Sequence, residues 1–351
     1  MQTSDIHFGG PDRPVGCLRD LLAAHVDAVP AGGSIDWVMY YFRDRRLAGG
    51  LLRAAARGVQ VRVTLDGWPR TPRANDAMIA LLRSELGGGL RVVRGSMDRT
   101  PWGKVVRPRL HEKLYCFSHP KPVAFIGSFN PSGDVPELEP EVLRAVGDQD
   151  RGHNLLVGLR DPELVAGLTR HARELHQRWH STVDRVLPAS NRTLRSGGFQ
   201  VYFMPRLLRD PVVALLRRCG TGDRVRIAAS HFSGPTSLAI LRALRRRGAT
   251  VEIRAEATAR RVPPRVEERL RDAGVAIERV IDPDGLPMHA KFALIEHGGE
   301  SHVALGSFNW TEPSRLFNRE IGAISSDREL FAQLDDRWSA LRSPAGPPVG
   351  H

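Results

Sequence analysis

The sequence predicts an α/β protein made of two tandem, pseudo-symmetric halves, and three observations predict it. Apolar strand-like runs alternate with Ala/Leu/Arg-rich helical stretches, which implies helices layered on sheets. The same order of elements occurs twice, in copies of about 160 residues. The string Gly-Ser-Phe-Asn closes an apolar run in each copy, at 127–130 and 306–309. A chain of 351 residues is long enough for two domains of ordinary size. The expected halves are 1–190 and 199–342, with a joint of turn-forming composition around "LPASNRTLRSGG" (187–198) and a disordered tail at 343–351.

The elements of the two copies match in order. "IDWVMYYFRD" (35–44) parallels "VRIAASHFSG" (225–234) as an early strand. "LLRAAARGVQVRVTLDG" (51–67) parallels "LRALRRRGATVEIRAEA" (241–257). Each is a helix that ends in Arg-Gly and turns into an alternating strand, with Val59, Val61 and Val63 matching Val251 and Ile253. Helices over 76–87 and 263–273 follow, then short strands "LRVVRG" and "VAIERV". The next pairs of strands, "KLYCFS" with "VAFIGS" and "KFALIE" with "HVALGS", are mostly apolar, as buried central strands are. Both copies close on similar helices, "ELHQRWHS" (174–181) and "QLDDRWSA" (333–340).

Composition narrows the function classes. Apolar content of 41% and charged content of 26% describe a globular protein. No apolar run approaches the ~20 residues that span a bilayer, and "MQTSDIHFGG" lacks the basic start and apolar core of a signal peptide. Cys17, Cys116 and Cys219 are few and far apart, so a reduced, cytoplasmic protein without stable membrane insertion is expected. The net charge of +12 favours anionic partners. Only four of the 51 basic residues are lysine, a skew that also reflects composition bias, so charge alone adds little.

Those four lysines carry the strongest signal. With 13 histidines and four lysines, about 0.15 His-x-Lys triplets are expected from composition. Two occur, "HEK" at 111–113 and "HAK" at 289–291, each followed by Gly-Ser-Phe-Asn. At the start of a strand, period-2 alternation directs His and Lys to the same face. One half-site per copy most economically builds a single shared site across a pseudo-twofold axis. Two facing imidazoles can divide phosphoryl chemistry between a nucleophile and an acid–base. Lysine, serine and asparagine side chains would then surround the non-bridging oxygens. No metal or other cofactor is required for that reaction.

The doubled "HEK…GSFN" and "HAK…GSFN" resembles the phospholipase D superfamily, whose pattern is His-x-Lys, four residues, Asp, then Gly-Ser-x-x-Asn or a close relative. The resemblance runs from about residue 16 to 341. It implies a pair of α/β/α sandwich halves with a shared active site, a phosphohistidine intermediate, no metal, and a phosphodiester substrate, nucleic acid or phospholipid. Carried over by position, it implies His111, Lys113, His289 and Lys291 as catalytic residues. Ser128, Asn130, Ser307 and Asn309 would bind the substrate phosphate. The later-strand carboxylate that orients a histidine would be Glu320 in the second copy, where the first offers Asn154. Glu141, Asp148 and Asp150, in the preceding loop, are candidates to substitute for it. The motif Asp is replaced by Glu296 in one copy and Ser118 in the other. On this reading the stronger orienting pair belongs to the second half, and the division of labour between the histidines stays open.

The expected function is a metal-independent phosphodiesterase, with nucleic acid favoured over lipid by charge and by the lack of an apolar interfacial helix. The alternative is phospholipid hydrolysis or phosphatidyl transfer to an alcohol, and a second is a binding protein with impaired chemistry. "DRTPWGKVVRPR" (98–109) places Trp102, Lys104, Arg107 and Arg109 ahead of the first motif, a mixture that suits a polyanion or an ordinary Arg-rich loop equally. Tyr40, Tyr41 and Arg43 stand at the end of an early strand where they could line the cleft or pack in the core. His176 and His180 are four apart on a helix, with no third metal ligand, and are expected on a solvated face.

Overall fold

Apolar residues on both faces of the central strands call for cover on both sides, and the fold supplies it with helices outside and a second sheet inside. The computed structural model describes residues 4–95, 98–99, 105–132, 140–178, 192–206 and 210–341. The first half runs β1 (Ser4–Gly9), α1 (Cys17–Ala28), β2 (Ser34–Met39), α2 (Arg45–Ala56), β3 (Gln60–Asp66), α3 (Asp76–Leu86) and β4 (Leu90–Val93). It continues with the two-residue strands β5 (Asp98–Arg99) and β6 (Val105–Val106), then β7 (Leu114–Phe117), β8 (Val123–Gly127), α4 (Pro140–Ala145), β9 (Asn154–Leu159) and α5 (Pro162–Gln177). The second half runs β10 (Thr193–Ser196), β11 (Phe199–Met204), α6 (Pro211–Leu216), β12 (Arg224–Ala229), α7 (Pro235–Arg246), β13 (Thr250–Glu256), α8 (Pro264–Asp272) and β14 (Ala276–Val280). It ends with β15 (Phe292–His297), β16 (Glu300–Gly306), α9 (Glu312–Leu316), β17 (Glu320–Ser325) and α10 (Arg328–Ala340).

The large sheets have the orders β1-β9-β8-β7-β2-β3-β4 and β10-β11-β17-β16-β15-β12-β13-β14. Apart from β10, each strand of the second sheet has a counterpart at the same place in the first. In both, the strand–helix–strand units are parallel (β2-β3-β4 and β12-β13-β14) and the motif strands are antiparallel. The Arg-Gly helix ends behave as their sequence requires: Gly58 and Gly248 take φ of 89° and 90°, a region that suits glycine and reverses the chain into β3 and β13.

Helices α1 to α3 pack on the outer face of the first sheet, around Trp37, Leu51, Val63 and Phe125. Helices α6 to α8 do the same for the second, around Leu241, Ile253 and Ile295. The inner faces share one core, in which Ile126, Leu155 and Val157 of one sheet join Leu294, Leu305 and Ile321 of the other, with α5 and α10 alongside. The strands of the two motifs therefore meet back to back, and their N-terminal ends are brought to one place.

Two sequence expectations are corrected. Residues 193–196 of the expected joint form β10, which turns through Gly197 and Gly198 into β11 and lengthens the second sheet. His176 is half-buried and tied down rather than free on a solvated face: its Nε2–H donates to the Gly88 carbonyl (3.0 Å), and the Thr64 hydroxyl lies 3.3 Å from its Nδ1. His180 and the tail 343–351 lie outside the described residues.

Candidate active site

Each His-x-Lys occupies the last residues before a strand, where the chain crosses from one half to the other. Leu110 bridges to Arg319, so that His111 N–H donates to the Arg319 carbonyl (2.8 Å), just ahead of β17. In the mirror arrangement Met288 bridges to His153, and His289 N–H donates to the His153 carbonyl (2.9 Å), just ahead of β9. A buried carboxylate at the end of a parallel strand fixes each crossing. Asp66 accepts from Leu110 N–H (2.8 Å), and Glu256 accepts from Met288 N–H (2.7 Å). Burial pushes the Asp66 carboxyl up to about 6 against its backbone hydrogen bonds. Sequence reasoning missed both acids, although they stand at matching positions in "VRVTLD" and "VEIRAE".

The side chains complete the exchange. The Nδ1–H of His111 donates to Oε2 of Glu320 (2.7 Å), a carboxylate of the second half. The Nδ1–H of His289 donates to Oδ1 of Asn154 (3.0 Å), an amide of the first half. Asn154 is fixed in that sense because its amide nitrogen is spent on Gln149, at the backbone carbonyl (3.2 Å) and the side-chain oxygen (3.3 Å). Both rings thus use Nδ1 for orientation and leave Nε2 for chemistry. The expectation that the second half keeps the stronger orienting pair is therefore corrected, because Glu320 serves the first-half histidine.

Three further corrections follow from hydrogen-bond accounting. Ser128 and Ser307, expected to bind phosphate, are committed elsewhere. Ser128 donates to Asn154 (3.0 Å) and accepts from Leu155 N–H (3.0 Å). Ser307 donates to Glu320 (2.6 Å) and accepts from Ile321 N–H (3.0 Å). Glu296, a possible orienting residue, pairs instead with Arg226 (2.9 Å) at the far end of β15. The acids before β9 do not replace a carboxylate at Asn154: Asp150 pairs with Arg19 (3.2 Å), Asp148 accepts from Asp150 and Arg151 N–H, and Glu141 is exposed on α4.

His111 and His289 line a single cavity of about 260 Å³. Asn130 and Asn309 line it too, and their amide oxygens meet no partner among the described residues. Tyr40, Tyr41, Arg109, His231 and Arg261 complete much of the wall. Arg43 is held away by the carbonyls of Ala74 and Pro131. The Arg109 guanidinium donates to the Tyr40 hydroxyl (3.2 Å). Trp102 and Lys104 lie outside the described residues. Lys113 and Lys291 sit behind the rings, each donating to the carbonyl of its own histidine (2.9 and 2.6 Å).

The electrostatics are those of closely packed cations. Burial brings the Lys113 ammonium down to about 7, with Glu320 and Glu112 resisting. Burial, then Lys113 and Arg261, holds Lys291 well below the usual lysine range. Burial lowers His111 to about 4 although Glu320 pulls it up. Among the described residues no carboxylate pairs with His289; burial, then Lys291, Arg261 and Lys113, keeps it well below the ordinary imidazole value. Burial opposes ionisation of Glu320, yet His111 and Lys113 bring its pKa below that of a free glutamate. An anionic ligand entering the cavity would relieve this repulsion.

A duplicated α/β chain that brings one His-x-Lys from each half to a common cavity has the architecture of the phospholipase D superfamily. The chain belongs to that family: a family model described as "Cardiolipin synthase, PLD-like domain" matches residues 30–150 and 212–342. Among solved structures, polyphosphate kinase from Porphyromonas gingivalis is similar over 99% of this chain, with 14% identity and a TM-score of 0.64. The chain spans 53% of that protein's length. Phosphatidylserine synthase from Haemophilus influenzae Rd KW20 is similar over 96% of this chain and 85% of its own, with 12% identity and a TM-score of 0.61. At these identities the likeness is one of fold. A search of curated proteins gives no match. Among the described residues no helix is long and apolar enough to cross a membrane.

Proposed function

We propose that the protein is a metal-independent phosphodiesterase that works through a phosphohistidine on His111 and takes nucleic acid as its substrate. The observation that carries this reading is the convergence of His111 and His289 on one cavity, each ring held at Nδ1 by a side chain from the other half. Nε2 of His111 attacks phosphorus, and the bond from phosphorus to the leaving oxygen breaks. His289 gives its Nε2 proton to that oxygen. Water then attacks phosphorus as His289 takes a proton back, and the P–N bond breaks to free His111.

The partners argue for this division of labour. A phosphorylated imidazole that keeps its Nδ1 proton is cationic, and in a buried site Glu320 can neutralise it where the Asn154 amide cannot. A proton on His289 is weakly held, which suits an acid. Lys113, Lys291 and Arg261 supply positive charge around the phosphate, while Asn130 and Asn309 offer amide hydrogens to its oxygens. The mouth arginines Arg70, Arg109 and Arg260 favour a substrate with further negative charge.

The test is hydrolysis of bis(p-nitrophenyl) phosphate and of an oligonucleotide in EDTA, followed by mass spectrometry of the quenched enzyme. A covalent nucleotidyl adduct on His111 supports the reading. Loss of all turnover in EDTA, or formation of phosphatidylethanol from phosphatidylcholine and ethanol in place of oligonucleotide cleavage, overturns it.

A further inference from the structure

Resting on that nuclease reading, we infer that the substrate is single-stranded. Its backbone is held by Arg70 and Arg260 on either side of the scissile phosphate, and one flank runs over a stacking platform at Trp68.

Arg70 and Arg260 are counterparts in the repeat. "LDGWPR" (65–70) and "AEATAR" (255–260) leave β3 and β13 in the same way, four residues beyond Asp66 and Glu256. Both arginines line the cavity mouth, and neither has a carboxylate partner in an ion pair among the described residues. Among the described residues Arg260 donates to the carbonyls of Arg144 and Ala145, and after burial the charge of Arg70 is the next influence lowering its pKa. Two guanidiniums lining one phosphate site, one from each half, match a chain with a phosphate on both sides of the bond to be cut. A lipid headgroup with a single diester offers no such pair.

Beyond the mouth the halves differ. Where the second copy has Thr258, the first has Trp68, 42% exposed. The Arg107 guanidinium lies 4.0 Å from the centre of its ring and that of Arg94 5.3 Å away. Neither arginine is in an ion pair among the described residues, and Arg107 is two residues before Arg109 in the cavity wall. An indole flanked by guanidiniums provides planes for bases and charges for phosphates, the combination that recognises single strands. A bare phosphate chain has no use for the indole. The reacting imidazoles are sunk in the cavity: the His111 side chain is 12% exposed and His289 is 6% exposed. A phosphate must leave the surface of a duplex to reach them, whereas a single strand can bend in.

The experiment uses the full chain in EDTA with a 15-mer, its duplex, long-chain inorganic polyphosphate and bis(p-nitrophenyl) phosphate. The expected result is kcat/KM at least about tenfold higher for the single strand than for the duplex. Trp68→Ala raises KM for the 15-mer about tenfold more than it raises KM for bis(p-nitrophenyl) phosphate, and Trp68→Phe restores most of the difference. Replacing Arg94 and Arg107 together by alanine lowers the slope of log KM against log salt by about 1.4, the loss of two single-strand phosphate contacts. Equal effects of Trp68→Ala on both substrates, equal cleavage of duplex, or faster cleavage of polyphosphate overturns the inference and leaves the phosphodiesterase reading standing. Failure to hydrolyse even bis(p-nitrophenyl) phosphate takes both down.

Discussion

His111 and His289 stand at matching points of the repeat and differ in what holds them. Both rings are gripped at Nδ1, both grips are steadied by the serine of Gly-Ser-Phe-Asn, and both cross between halves. One grip ends in a carboxylate and the other in an amide locked by Gln149. Duplication preserved the geometry while the charge diverged. A pseudo-symmetric site can thus assign unlike roles to like residues by a change in a single partner.

The contrast can be broken at several points. The largest effect is expected from His111→Ala, which removes the nucleophile: turnover of every phosphodiester falls by about 10⁴ or more and no covalent adduct is trapped. His289→Ala should cost about 10²–10⁴-fold on an oligonucleotide, whose leaving alkoxide needs a proton, and far less on bis(p-nitrophenyl) phosphate. Comparing the two substrates in each variant checks the assignment, since the reverse pattern would exchange the roles. Glu320→Gln makes both grips neutral and should lower kcat about 10–100-fold by withdrawing the charge that stabilises the phosphorylated ring.

A subtler change adds the missing charge to the other half. The pKa of His289 lies below its ordinary value, so a rate that needs its protonated form falls as pH rises through that depressed value. Asn154→Asp places a carboxylate against Nδ1, raises that pKa and moves the falling limb of kcat/KM to higher pH. A pH–rate profile that does not move would remove His289 from the acid role. The smallest effect is expected from Asp66→Asn. Asp66 accepts from Leu110 N–H on one oxygen and Trp68 N–H on the other, so asparagine leaves one acceptor for the two and should cost about 1–3 kcal/mol of stability, read by thermal denaturation.

Much of this was legible in the chain. The repeat located the central strands of both sheets, the Arg-Gly ends of α2 and α7, and α3 and α8 to within a residue, because helix ends at Arg-Gly and buried apolar strands are local signals; the starts of α2, α5, α7 and α10 lay outside the stretches it matched. His111, Lys113, His289 and Lys291 stood out by pairing alone. Who holds whom did not. The contacts of Glu320 with His111 and of Asn154 with His289 join residues 209 and 135 positions apart. They depend on how the two sheets pack, which no local pattern encodes. Ser128 and Ser307 were misread for a related reason. A serine after glycine at a strand end can face a ligand or a neighbouring strand, and only the position of β9 and β17 decides. Asp66 and Glu256 were visible as matched acids, but their task, accepting backbone N–H groups where the chain crosses between halves, leaves no mark in composition.

The crossed grips have a consequence for how such a chain could arise. A histidine whose Nδ1 partner lies on the other copy is incomplete in a lone copy. An unduplicated ancestor would have had to meet a second molecule of itself before either ring was correctly aimed. Fusion into one polypeptide turned that encounter into an intramolecular certainty, and it freed Asn154 and Glu320 to diverge, which identical subunits related by symmetry could not do.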